Sequence, residues 1–174
     1  MKAIVCDAYA PVEALRWADV DPPEPGAGEV RVEVHAAGLN FADTLKVQGR
    51  HQVKVPLPWT PGAEVGGVVS ALGAGVTDLQ IGQRVMAVPD DRAGGYAEFV
   101  ALRAERVLPL PEPVSLTEAA ALPAAYGTVL YALKQRARLA PGECVLVLGA
   151  AGGVGLAAVQ VAVAMGARVI AGAS

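Results

Sequence analysis

Hydrophobic and polar positions change their rhythm along this chain. Over residues 29–36 they alternate strictly, with Val30, Val32 and Val34 on one side and Arg31, Glu33 and His35 on the other. A period of two is that of a strand buried on one face, and it leaves His35 on the solvated side. Similar short runs predict strands at residues 2–6, 15–18, 64–70, 84–88, 95–101 and 106–108, separated by turns rich in Gly, Pro or Asp. A short helical piece is expected at residues 41–47. Several short strands at this spacing predict a barrel-like β domain.

The rhythm lengthens near Pro111. Ser115 and Glu118 are spaced as a capping box, in which each side chain bonds the other residue's N–H, and a helix should follow to residue 122, where Pro123 stops it. A second helix is predicted over residues 125–138, with Val129, Leu130, Leu133 and Ala137 on one stripe. A β-branched apolar run (residues 145–148) then meets a glycine cluster, followed by small and apolar residues at helical spacing. Gly166 marks a helix end, and Arg168-Val-Ile-Ala begins another strand. The order is strand, tight turn, helix, strand.

That turn is the candidate for chemistry. A strand feeding a glycine turn and a helix start can hold a dinucleotide pyrophosphate, because unpaired N–H groups and the positive helix end face the anion. Gly152 would let the backbone approach the phosphates, and Gly155 would let the helix pack on the strand. The run departs from G-x-G-x-x-G: Ala150 stands at the first glycine position and Gly149 lies one place earlier. No charged residue occurs over residues 145–167, so hydropathy alone would also read a membrane span. Gly149, Gly152, Gly153 and Gly155 interrupt that run, and buried parallel strands are continuously apolar in water-soluble proteins too.

Composition narrows the picture. Fourteen Lys and Arg against 17 Asp and Glu give a formal charge of -3, which offers no footprint for nucleic acid or anionic lipid. The chain is 53% hydrophobic but 5% aromatic, so its core must be built from Ala, Val and Leu. Cys6 and Cys144 both fall in predicted strands and read as buried free thiols. No signal peptide is evident, and a cytoplasmic setting is expected.

Seven motifs together resemble one superfamily: Gly38-Leu-Asn-Phe-Ala-Asp43, Pro61-Gly-Ala-Glu-Val-Gly-Gly-Val68, Ile81-Gly-Gln-Arg-Val85, Gly94-Gly-Tyr-Ala-Glu98, Ala119-Ala-Ala-Leu-Pro123, Tyr126-Gly-Thr128 and Gly149 to Gly155. The chain resembles the medium-chain dehydrogenase/reductase superfamily in its zinc-free quinone oxidoreductase (zeta-crystallin-like) branch. The resemblance implies a β then α/β chain: a GroES-like β-barrel domain over residues 1–122, then the first β-α-β unit of a Rossmann dinucleotide-binding domain over residues 123–174. It implies a zinc-independent, NADPH-dependent hydride transfer to a quinone or α,β-unsaturated carbonyl. A homodimer is implied for the intact family. Zinc-dependent relatives use a cysteine and a Gly-His-Glu histidine, but here Asn40 and Ala63 stand in those places. A structural zinc site needs four thiolates where the chain has two cysteines.

The same resemblance assigns roles. Asn40 and Thr128 are expected at the nicotinamide, with Asp43 one helical turn after Asn40; a cap or turn contact is the competing reading for Asp43. His51 and Tyr126 are expected on the substrate side, against a solvated loop histidine and a core aromatic. Gly149, Ala151, Gly152, Gly153, Val154 and Gly155 match the pyrophosphate contacts. The second strand ends at Ala173 and Ser174 with no acid to accept from a ribose 2′-OH. Ser174 could donate to a 2′-phosphate, which favours NADPH over NADH.

Length sets the remaining expectation. One strand-helix-strand unit leaves Val145, Val147, Val169 and Ile170 poorly covered, each wet side chain forfeiting about 1.5–3 kcal/mol. The chain therefore reads as truncated. The alternative to the enzyme is a non-catalytic GroES-like and nucleotide-binding fragment acting as a binding or association module.

Overall fold

The alternation over residues 29–36 becomes the second strand of a five-stranded antiparallel sheet. A computed structural model describes residues 1–90 and 92–173, which divide into two units, Met1–Ala121 and Leu122–Ser174. In the first, β1 (Lys2–Val5) pairs with β2 (Arg16–Asp19), and β3 (Glu29–Ala37) is followed by α1 (Phe41–Val47). Then come β4 (Val65–Leu72), β5 (Arg84–Ala87), β6 (Phe99–Arg103), β7 (Val107–Pro109) and α2 (Leu116–Ala119). The sheet order is β6-β3-β4-β5-β7, and β1 joins this unit through an antiparallel bridge between Ala3 and Ala97.

The core follows from the side-chain rhythm. Val30 and Val32 are fully buried, and they pack with Val65, Val69, Val85, Val100 and Leu102. Val34 is half-buried and His35 exposed, as the alternation requires. Slips in the β3–β4 register at Arg31/Val32 and Val34/Ala36 bend the strand. The capping box forms: Ser115 Oγ accepts from Glu118 N at 3.1 Å and Glu118 Oε2 accepts from Ser115 N at 2.8 Å. The helix it starts ends at Ala119 with Ala120 as its cap, well before Pro123.

The second unit holds β8 (Cys144–Leu148) and β9 (Arg168–Gly172), parallel and in register from Cys144↔Arg168 to Leu148↔Gly172. Between them runs α4 (Gly153–Ala164). The helix expected at residues 125–138 begins at Pro123, whose missing N–H suits a first helical position. It is wide-turned, with i→i−5 bonding over Pro123–Gly127 and Tyr131–Arg136 and only Thr128–Leu130, labelled α3, of ordinary pitch. That widening corrects the expected stripe. Val129 is buried and Leu133 half-buried, but Leu130 and Ala137 are exposed, because a stripe drawn at 3.6 residues per turn loses phase on a wider helix.

Two further expectations are corrected here. Cys144 is exposed while Cys6 is buried. Val147 is buried at 8% exposure, and Val145 and Val169 are half-buried, so of the four side chains expected to be wet only Ile170 is exposed. One cause explains both. The face carrying Val145, Val147 and Val169 is the covered one, with Ala157 and Ala162 of α4 fully buried, while the opposite face presents Cys144, Leu146, Leu148 and Ile170. Among the described residues, no helix is long and apolar enough to cross a membrane.

Candidate functional site

The β8–α4 turn is built by two glycines with different tasks. Gly149 has φ +70, a left-handed conformation that other residues adopt at a cost, so the tight turn sits at Gly149 and not at the Ala150 position of the usual pattern. Its carbonyl accepts from Gly152 N at 3.1 Å, and Ala150 N donates to Gly172 O of β9 at 2.9 Å. Gly155 permits a close approach: a Cβ there would stand 2.2 Å from Gly149 O and 2.8 Å from Ala150 Cα. The helix can start beside the strand only with that side chain missing.

The outward side of the turn is open. A Cβ on Gly152 would meet only Gly149 O, at 3.5 Å, and one on Gly153 would meet nothing within 4 Å. The first i→i−4 bond of α4 runs from Leu156 N to Gly152 O at 2.8 Å, so the amides of Gly153, Val154 and Gly155 precede any such acceptor. Gly152 provides no side-chain cap, and the first turn carries no acid. A groove of about 590 Å³ runs past Gly149, Gly152, Gly153 and Val154 along β8. Open amides, the positive end of a twelve-residue helix and no competing carboxylate fit a diphosphate.

In the first unit, three loops converge on a polar network. Asn40 ends the turn after β3 and caps α1, Glu64 directly precedes β4, and Tyr96 lies ahead of β6. Asn40 Nδ2 donates to Glu64 Oε1 at 2.8 Å, and the Asn40 backbone N–H donates to Asp43 Oδ2 at 3.0 Å. Tyr96 OH lies 2.8 Å from Asp43 Oδ2 and 3.1 Å from Gly38 O, and its one proton goes to the carboxylate. Asp43 and Glu64 are each 3% exposed. Burial first, and then the Asp43 carboxylate, push the Tyr96 phenol well above its ordinary range.

The predicted residues therefore divide. Asn40, Asp43 and His51 lie on the first unit, and Tyr126, Thr128 and the glycine turn on the second. Asp43 makes the cap contact that competed with a cleft role. His51 Nδ1 accepts from Val53 N at 3.1 Å inside its own turn. Tyr126 donates through its hydroxyl to Gln160 Oε1 of α4 at 2.6 Å, and Thr128 is exposed. Ser174 lies outside the described residues. Sequence reasoning missed Glu64, Tyr96 and Gln160 as partners. Glu64 had a signal: it is the one charge in Pro61-Gly-Ala-Glu-Val-Gly-Gly-Val68, leading into a buried strand, and a buried charge must find a partner.

An antiparallel β unit followed by a strand-glycine turn-helix-strand unit is the element order of the medium-chain dehydrogenase/reductase architecture. Residues 26–112 match the alcohol dehydrogenase GroES-like domain. The chain belongs to that family, in the quinone oxidoreductase branch of the superfamily. It is 44% identical over 161 residues to quinone oxidoreductase-like protein 2 of Rattus norvegicus, covering 92% of this chain and 45% of that protein. It is 40% identical over 171 residues to the quinone oxidoreductase of Rattus norvegicus, covering 98% of this chain and 52% of that one. Among solved structures, the quinone oxidoreductase of Thermus thermophilus, determined also in complex with NADPH, matches at 45% identity with a TM-score of 0.85, over 100% of this chain and 54% of that one. The chain spans about half the length of the relatives it matches.

Proposed function

We propose that this chain carries the catalytic half-site and pyrophosphate turn of a zinc-independent oxidoreductase that uses NADPH in preference to NADH. The observation that carries the reading is the β8–α4 turn, where Gly155 brings the helix start against the strand, the first helix amides precede any i−4 acceptor, and the Cβ positions of Gly152 and Gly153 are open. The quinone oxidoreductases similar to this chain, one of them solved with NADPH, support the same class. Bound at this turn, a reduced nicotinamide dinucleotide supplies hydride to an electron-poor carbon, such as that of a quinone or an α,β-unsaturated carbonyl.

The chain's residues then divide the work. The amides of Ala151, Gly153, Val154 and Gly155 hold the diphosphate, and the absence of Cβ atoms at Gly152 and Gly153 lets it approach. Asn40 and Thr128 orient the nicotinamide ring by hydrogen bonds. Asp43 acts as a positioning residue, its carboxylate accepting from the Asn40 backbone N–H. His51 offers Nε2 to substrate, since accepting at Nδ1 places the neutral ring's proton on the other nitrogen. Tyr126 lines the substrate side with its hydroxyl tied to Gln160. Independence from zinc rests on Asn40 and Ala63, neither of which is a ligand of the zinc-binding relatives' type.

The test is fluorescence titration with NADPH and NADH, followed by NADPH oxidation with 1,4-benzoquinone before and after chelation. Tighter binding of NADPH and chelator-resistant turnover are expected; failure to bind either dinucleotide would overturn the reading. One observation favours the association module instead: Leu148 is 79% and Leu146 61% exposed on the outer face of β8–β9. Self-association without turnover would be its signature.

A further inference from the structure

The Asn40 side chain is held through its amide nitrogen before any ligand arrives. Its Nδ2 donates to Glu64 Oε1 at 2.8 Å, and Glu64 is 3% exposed on the residue before β4. A carboxylate oxygen offered to Asn40 accepts and does not donate, so the amide nitrogen and not the oxygen must face Glu64. Asp43 ties the Asn40 backbone to the start of α1, its carboxylate accepting from Asn40 N at 3.0 Å and its own N–H donating to the Asn40 backbone carbonyl at 3.0 Å. Asp43 is held in turn by the Tyr96 hydroxyl at 2.8 Å. The nitrogen end of the amide is therefore the end that faces Glu64.

We propose that Glu64 is a positioning residue that fixes the Asn40 amide through the Nδ2 bond and so sets the orientation in which Asn40 meets its ligand. This deepens the proposed function and rests on it for the placement of Asn40 near the nicotinamide. Asn40 then meets the nicotinamide or the substrate in a set orientation, and it is Asn40 that makes the contact. Glu64 itself touches neither. The Asn40–Glu64 bond is a property of the first unit and is measurable with no ligand present.

The experiment has a spectroscopic arm and a kinetic arm on the same protein. In ligand-free protein, one of the two Asn40 Nδ2 hydrogens is expected downfield and slow to exchange in a proton–nitrogen NMR spectrum, and Glu64→Met should abolish that signature. With NADPH and benzoquinone, Glu64→Met should lower kcat about tenfold with KM for NADPH changed less than threefold. Glu64→Gln keeps an acceptor oxygen of the same reach and should stay within threefold of wild type, giving a folded variant if the methionine does not fold. In a double-mutant cycle, adding Glu64→Met to Asn40→Ala should cost nothing more, because one acts through the other. Full additivity, or a Glu64→Met variant that loses the signature while turning over normally, overturns the proposal. So does a loss in Glu64→Gln as large as in Glu64→Met. A wild-type protein with the NMR signature but no NADPH oxidation overturns the enzymatic reading instead, and the two failures are thereby told apart.

Discussion

Replacing Gly152 by alanine separates what the glycine turn does for the fold from what it does for a ligand. Gly152 has φ -78 and ψ 164, a conformation open to any residue, and the added methyl would meet only Gly149 O at 3.5 Å, an ordinary contact. Glycine is a better N-cap than alanine, by about 0.5–1 kcal/mol. Against that, alanine restricts the unfolded chain and returns about 0.4–1 kcal/mol. The two nearly cancel, so Tm should move by no more than about 2 °C. A diphosphate held by the amides of Gly153 and Val154 would have to occupy the space the methyl takes. NADPH affinity should therefore fall at least tenfold, equivalent to about 1.4 kcal/mol. Gly155→Ala makes the contrast, because its Cβ would stand 2.2 Å from Gly149 O. Overpacking of that kind costs about 1–3 kcal/mol, and it should lower Tm by several degrees as well as weaken binding. Circular-dichroism melts and NADPH fluorescence titrations on the three proteins decide the matter. Unchanged NADPH affinity in a normally folded Gly152→Ala protein would refute the assignment of this turn to phosphate.

Other outcomes follow from the same structure. Tyr96→Phe removes the proton given to buried Asp43 and should cost about 1–3 kcal/mol in urea unfolding, most of it from the carboxylate left a donor short. Because the folded-state pKa of Tyr96 is raised, its contribution is complete below the unfolded value of about 10 and is lost as pH climbs beyond it; ultraviolet titration should find one tyrosine that resists ionisation, and that signal should vanish in Tyr96→Phe. Ser115→Ala breaks the capping box at α2 and should cost about 1 kcal/mol, read as a lower Tm with NADPH binding unchanged. In native protein, iodoacetamide should label exposed Cys144 quickly and Cys6 slowly, since Cys6 is 2% exposed and burial raises its thiol pKa; equal labelling by mass spectrometry would contradict the burial pattern.

Much of the fold was legible from local rhythm. Val30, Val32 and Val34 announced β3 and its buried face, Ser115 and Glu118 announced a helix start, and the apolar run into Gly149–Gly155 announced strand, turn and helix. These signals are local because side-chain period, cap chemistry and glycine's freedom act over a few residues. Which glycine makes the turn was not legible. Gly149 takes the positive φ because its carbonyl must meet Gly152 N while Ala150 N reaches β9, a partner more than twenty residues away.

The same limit explains the exposed side of the second unit. A strand's pattern says that two faces exist, yet only the placement of α4 over Val147 decides which is dry, leaving Cys144 and Leu148 wet. The wide helical turns at Pro123–Gly127 and Tyr131–Arg136 likewise shifted a stripe that periodicity alone had drawn on a 3.6-residue helix. The polar network is the clearest case. Asn40, Glu64 and Tyr96 are far apart in the chain, and nothing local to any of them names the other two as partners. Only the meeting of the β3, β4 and β6 loops makes them one buried unit, because a hydrogen bond depends on distance in space and not on separation along the backbone.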